Sequence, residues 1–156
     1  RALALGAERI LTMDADFSHS PRYIPAILAR SAEADLVIGS RYVPGGGIRD
    51  WGLGRRLLSW SANTVARLAL GMQAHDCTAG FRCYRREALA SIPLNDVRAD
   101  GYSYLVEMLY RCQRLGCRVA EVPIIFEDRR QGASKISRQE IFNYTASHGN
   151  AGGEGE

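Results

Sequence analysis

Two carboxylates one residue apart, Asp14 and Asp16, stand at the end of a short apolar run from Ile10 to Met13. Such a run reads as a buried strand of an α/β sheet. Open α/β sheets collect their ligands at the carboxyl ends of strands. Two aspartates where a strand gives way to a loop can jointly hold a hard divalent cation, Mg²⁺ or Mn²⁺, which takes oxygen ligands, keeps several waters and completes its shell with phosphate oxygens. Aspartate at a strand end is also an ordinary turn residue, so the pair gains weight only from its surroundings. His19 either touches a phosphate or orients its neighbours.

Other residues of chemical interest follow at strand ends and on helix faces. A second apolar run at 35–39 ends in Ser40, Arg41 and Tyr42. Arg55 and Ser59 lie one helical turn apart, on the same side. The planar fork of arginine grips phosphate oxygens in pairs. Asp76, Thr78 and Arg82 form a polar loop in which Asp76 orients sugar hydroxyls or an arginine, while Arg82 serves as its structural partner. Glu107 sits in a helix opened by residues 101–104 and faces a ligand such as a sugar or the acidic loop, unless it is a plain exposed charge. Arg129, Ser134 and Lys135 surround Gly132 in a basic loop that either closes over a diphosphate and meets developing charge or is simply solvated, with Arg130 and Gln131 as variable surface. No Ser-His-Asp or Cys-His set is visible.

The elements that must position these groups can be sketched from periodicity. A strand covers 9–13, and Pro21 and Pro25 open a helix that runs to about Glu33. A buried strand covers 35–39, and Gly45 to Gly47 form a flexible loop. An amphipathic helix spans 53–70 with Leu58, Ala62, Val65 and Ala69 on one face, closed by Gly71. A loop or short strand at 76–84 and a short helix at 85–91 come next. A longer helix spans 102–115 and is stopped by Gly116. A strand at 119–126 carries Pro123, which argues for an edge position. Residues 1–7 resemble the last turns of a helix closed by Gly6.

With 156 residues and 46% hydrophobic content, the chain can bury one core. A net charge of +3 is too mild for a nucleic-acid binder. Cys77, Cys83, Cys112 and Cys117 have neither metal-site spacing nor paired histidines and read as reduced packing residues. No run approaches a membrane span and no signal peptide is evident. The Gly-rich segment 146–156 lacks apolar residues and is expected to be a disordered tail.

Four motifs, 13–19, 39–42, 76–82 and 129–135, occur in an order and at spacings that together resemble the dolichol-phosphate (polyprenol-phosphate) mannosyltransferases, within the inverting family-2 glycosyltransferases. The resemblance covers about residues 1–145. It implies a GT-A-like, Rossmann-like α/β fold with a mixed sheet flanked by helices, truncated at its amino terminus, so that 1–145 is a partial glycosyltransferase domain. It further implies a GDP-mannose donor, Mg²⁺ or Mn²⁺ held by Asp14 and more directly by Asp16, with Ser18 as a weaker ligand at a position where relatives often carry Gln, and a polyprenyl monophosphate acceptor bound at the positions of Arg41, Arg55 and Ser59. Because a phosphate monoester loses its second proton near pH ~6, the acceptor oxygen needs cations rather than a general base. Relatives carry Gln where this chain has Leu105, two residues before Glu107.

The resemblance also implies work at the cytoplasmic face of a membrane, with a membrane-protein partner or fused membrane domain as a further possibility. Trp51, Leu53, Leu57 and Trp60 among Arg49, Arg55 and Arg56 have the make-up of a helix lying at a lipid interface. A glucose or aminosugar donor remains an alternative reading, as does an inactive nucleotide-sugar-binding fragment. Since most of the base pocket is expected upstream of Arg1, these 156 residues alone are expected to transfer negligible sugar.

Overall fold

The computed structural model describes residues 1–97 and 99–128. β1 (Arg9–Thr12) is followed by a 3-10 turn at Pro21–Tyr23, α1 (Ile24–Arg30), β2 (Leu36–Ser40), β3 (Gly47–Ile48) and α2 (Leu53–Ala69). Then come β4 (Arg82–Arg85), α3 (Arg86–Ser91), α4 (Gly101–Arg114), β5 (Val119–Pro123) and β6 (Ile125–Phe126). Residues 1–6 form a turn closed by Gly6 at φ +76°. Gly71 (φ +60°) and Gly116 (φ +75°) close α2 and α4 in the left-handed conformation that glycine adopts without a Cβ penalty.

Four strands form a mixed sheet in the order β1-β4-β2-β5. β4 runs antiparallel to both β1 and β2, whereas β2 and β5 are parallel. β1, β2 and β5 therefore point the same way. Their carboxyl ends, together with the segment entering β4, meet at one edge. β5 is an outer strand of this sheet, where the missing N–H of Pro123 costs no ladder bond. β3 and β6 add a separate parallel pair beside that edge.

β2 is buried along its whole length, as its unbroken Leu-Val-Ile run requires. Leu36 and Ile38 face a core with Val106, Leu109 and Cys112 of α4, while Val37 faces Ile27 of α1, Phe81, Cys83 and Ile124. Helices thus cover both faces. Cys77, Cys83, Cys112 and Cys117 are all unpaired, and the first three are buried. Burial pushes the Cys77 and Cys112 thiols up to about 12, as expected of inert packing residues. The backbone of 45–46 folds back against β2 so closely that a Cβ on Gly46 would meet the Ser40 carbonyl oxygen at 2.6 Å.

The packed side of α2 differs from the one its apolar spacing suggests. Leu58, Val65 and Ala69, three of the four residues of the proposed inward face, are exposed. The inward stripe is Ser59, Asn63, Ala66 and Leu70, with Ala66 and Leu70 against the core. Asn63 is buried because its side chain ties down the following loop. It donates to the His75 carbonyl and accepts the Cys77 N–H at 2.7 Å. A polar stripe that satisfies buried backbone groups outweighs the apolar residues, which remain outside.

Candidate active site

The acidic loop leaves β1 at the shared carboxyl edge. Asp14 is exposed and Asp16 half-buried. Phe17 takes φ +66°, a left-handed turn rare for an aromatic residue, and the chain doubles back there. Ser18 then donates its N–H to Asp16 Oδ1 at 3.1 Å, and its hydroxyl donates to the same oxygen. The buried Ser18 therefore braces Asp16. Opposite Asp14, Gly80 has no side chain, and a Cβ there would lie 3.3 Å from Asp14 Oδ1. Among the described residues no third His, Cys, Asp or Glu joins the pair to make a protein-only cage. Two carboxylates with an open side fit Mg²⁺ or Mn²⁺, whose remaining positions go to water and phosphate oxygens.

A cavity of about 350 Å³ opens beside Asp14, lined by Thr12, Met13, Gly80, Tyr84, Tyr102 and Tyr104 among others. That volume suits one sugar-sized group. A second, much smaller cleft lies between His19, Arg41, Trp51, Arg55 and Phe126. Gly80 and Tyr102 line both, so the two hollows share a wall.

Arg41 is held in this cleft by a buried, bidentate ion pair. Its Nε and Nη2 donate to Asp76 Oδ2 and Oδ1 at 2.8 and 2.7 Å, its backbone N–H donates to Oδ2 at 3.0 Å, and Nη2 reaches Thr78. Burial alone would raise the Asp76 carboxyl, but the Arg41 guanidinium outweighs it and holds the group below the usual carboxylate range. The Glu121 carboxylate accepts the N–H groups of His75 and Asp76 and fixes the same loop. Arg55 reaches Asp128 at 2.9 Å, where Trp51 Nε1 also donates, and its guanidinium lies over the Trp51 ring at 3.9 Å. Ser59 shares a hydrogen bond with the Tyr42 hydroxyl at 2.9 Å.

Several sequence expectations need correction. Asp76 pairs with Arg41 rather than Arg82, and at 0% exposure it has no oxygen to offer a sugar. Arg82 is equally buried and donates to the Ala79, Leu105 and Cys77 carbonyls at 2.7–2.8 Å. It pins the 77–79 loop to α4. Glu107 is bonded to Arg111 and accepts the Ala99 N–H, so it locks α4 instead of facing a ligand. Trp51 is buried against Ile48 and Phe126, which removes it from any lipid-facing surface. Arg129, Ser134, Lys135 and the expected tail at 146–156 lie outside the described residues. Asp128 and Glu121 carry no sequence signal, and Trp51, expected at a lipid surface, joins them in the site. Each acts through a partner distant in sequence, which spacing cannot reveal.

The sequence model of glycosyl transferase family 2 matches residues 3–92. The undecaprenyl-phosphate mannosyltransferase of Micrococcus luteus is 44% identical over 135 residues, 86% of this chain and 56% of that protein. The polyprenol monophosphomannose synthase of Mycolicibacterium smegmatis is 46% identical over 140 residues, 89% of this chain and 53% of that protein. The chain thus spans about half the length of the curated relatives it matches. Among solved structures, glucosyl-3-phosphoglycerate synthase from Mycobacterium tuberculosis with Mg²⁺ and uridine diphosphate has a TM-score of 0.63 at 21% identity, covering 95% of this chain and 52% of that one. The same enzyme with Mn²⁺, UDP-glucose and phosphoglyceric acid has a TM-score of 0.62, covering 93% and 51%. At that identity the likeness speaks for the fold, a GT-A arrangement with a mixed sheet. With more than half its residues inside the matched region, the chain belongs to glycosyl transferase family 2.

Proposed function

We propose that the protein containing this chain transfers mannose from GDP-mannose to a polyprenyl monophosphate with inversion at the sugar carbon, using Mg²⁺ or Mn²⁺. The observation that carries this reading is the shared wall between the cavity beside Asp14 and the arginine cleft, since a transfer needs donor sugar and acceptor phosphate in contact. The printed functions of the two curated relatives favour a mannosyl donor and a polyprenyl phosphate acceptor.

Asp14 and Asp16 would hold the ion, which when bound offsets charge on the departing diphosphate. The sugar ring fits the 350 Å³ cavity, with Tyr102 and Tyr104 on its walls. The acceptor oxygen is already anionic at neutral pH and needs no base. Arg41 is neutralised by Asp76, which leaves Arg55 as the cation with more to give the acceptor phosphate, after exchange with Asp128. Ser59 lies one turn further along. Arg129, Ser134 and Lys135, which follow Asp128 in the chain, are proposed to meet the diphosphate.

In the full-length protein, GDP-mannose should outcompete UDP-glucose as donor in an assay with radiolabelled sugar and polyprenyl phosphate. Arg55→Ala should raise the acceptor KM by ~10-fold or more, the loss of a charge-assisted contact, with the donor KM little changed. Labelled product from UDP-glucose alone, or an unmoved acceptor KM, refutes the corresponding half of the proposal.

Peripheral membrane contact is proposed through the outward face of α2. Leu53 (83% exposed), Leu57 and Trp60 stand beside the exposed Arg49 and Arg56. Apolar side chains ringed by arginines suit an anionic lipid surface. No described helix is long and apolar enough to cross a membrane. Leu57→Ser with Trp60→Ser should sharply reduce co-sedimentation of the full-length protein with anionic liposomes; equal partitioning rejects the contact.

A further inference from the structure

The backbone of the acidic loop is fixed by a side chain rather than by another strand. β1 and β4 stop pairing at Thr12 and Arg82. Just beyond, the N–H of Asp14 donates to Nδ1 of His19 at 3.0 Å. A backbone N–H can only donate, so Nδ1 supplies a lone pair and the ring of the neutral imidazole carries its proton on Nε2. The ring has little freedom to leave. It is 3% exposed, stacked on Phe81 with centroids 5.1 Å apart and edge-on to Phe126 at 5.4 Å. Phe81 lies in the segment entering β4 and Phe126 in β6, so two parts of the active edge grip one ring. The far end of the loop is tied by the Glu127 N–H, which donates to the Ser18 carbonyl.

We propose that His19 is a positioning residue for the ion site, fixing through Nδ1 the backbone from which the Asp14 carboxylate projects. The inference rests on reading Asp14 and Asp16 as the ion-holding pair. Only glycine at residue 80 leaves Asp14 its present place, since a Cβ there would lie 3.3 Å from Asp14 Oδ1. The Nδ1 lone pair is committed to a backbone bond, so this atom is not the base of the reaction.

Two variants separate the lone pair from the ring. His19→Phe keeps an aromatic ring between Phe81 and Phe126 but removes the acceptor. His19→Asn removes the ring but places Oδ1 on the branch that Nδ1 occupied. With the full-length protein and Mn²⁺ alone, titrated by electron paramagnetic resonance, His19→Phe should weaken Mn²⁺ binding ~10-fold or more, as loss of an outer-shell partner does. His19→Asn should stay much closer to the parent. Parent affinity in His19→Phe, or an equal fall in both variants, overturns the proposal. In the parent, a ¹H–¹⁵N spectrum of the imidazole should show a bare Nδ1 and a protonated Nε2 whether or not the variants fold, and the opposite tautomer also overturns it. A parent protein that binds no Mn²⁺ overturns instead the ion-holding reading on which the inference rests.

Discussion

Asp16→Asn in the full-length protein is expected to abolish nearly all transfer while leaving the fold intact. The asparagine side chain keeps an oxygen in the place where Asp16 Oδ1 accepts from the Ser18 N–H and hydroxyl, so the loop retains its brace. What disappears is one of two negative charges facing the proposed cation. Stabilising charge on a leaving diphosphate is worth several kcal/mol, and each ~1.4 kcal/mol is tenfold in rate. Turnover should therefore fall by ~10³ or more. The measurement is a steady-state assay beside a Mn²⁺ titration and a thermal melt. Near-parent turnover, or full parent activity in excess chelator, would show that these carboxylates hold no catalytic ion.

The second large effect concerns stability. Asp76→Ala leaves the Arg41 guanidinium buried without its carboxylate, and breaking a buried pair in this way costs ~3–5 kcal/mol. For a domain of this size the melting temperature should drop by roughly 10 °C. Arg41→Met combined with Asp76→Leu should recover much of the loss, because well-packed apolar replacements of a buried pair are often neutral. The pH dependence has a definite sign. Asp76 is depressed in the folded state, so its contribution is complete above the unfolded carboxyl value of about 4 and disappears as pH falls through the lower folded value. The parent should thus lose stability on acidification, and Asp76→Ala should lose less of it. If Asp76→Ala melts with the parent at pH 7, the pair is not a structural anchor.

The elements were easier to read than their partners. Apolar runs marked β1 and β2 to within a residue, and Gly71 and Gly116 marked two helix ends, because local backbone preference acts over a few residues. Pro123 announced an outer strand for the same reason. The face of α2 was misread because periodicity identifies a stripe without saying which side has a neighbour. The side was decided by Asn63, whose buried amide serves the backbone at His75 and Cys77. Nearness in the chain offers Arg82 as one partner for Asp76. Arg41, which won, is 35 residues away and reaches it because β2 and β4 are adjacent. The motifs indicated which residues gather at the edge. The division of labour among them, with Arg82 and Glu107 locking the scaffold, depended on burial.

The insertion of β4 between β1 and β2 has a kinetic consequence. Thr12 is bonded to the Gly80 carbonyl across 68 residues, and Asp35 to Arg118 across 83. On a ribosome adding ~5–20 residues per second, the acidic loop emerges several seconds before the strand that anchors it. The apolar face of β1 must wait through that interval without a partner. Distant pairings of this kind pay loop-closure entropy before contacts reward it, which slows folding. Local helices such as α2 can form at once, so the surface proposed to face lipid is expected to mature early and the proposed ion site late. A nascent chain would then be able to approach a membrane before it is able to bind its donor.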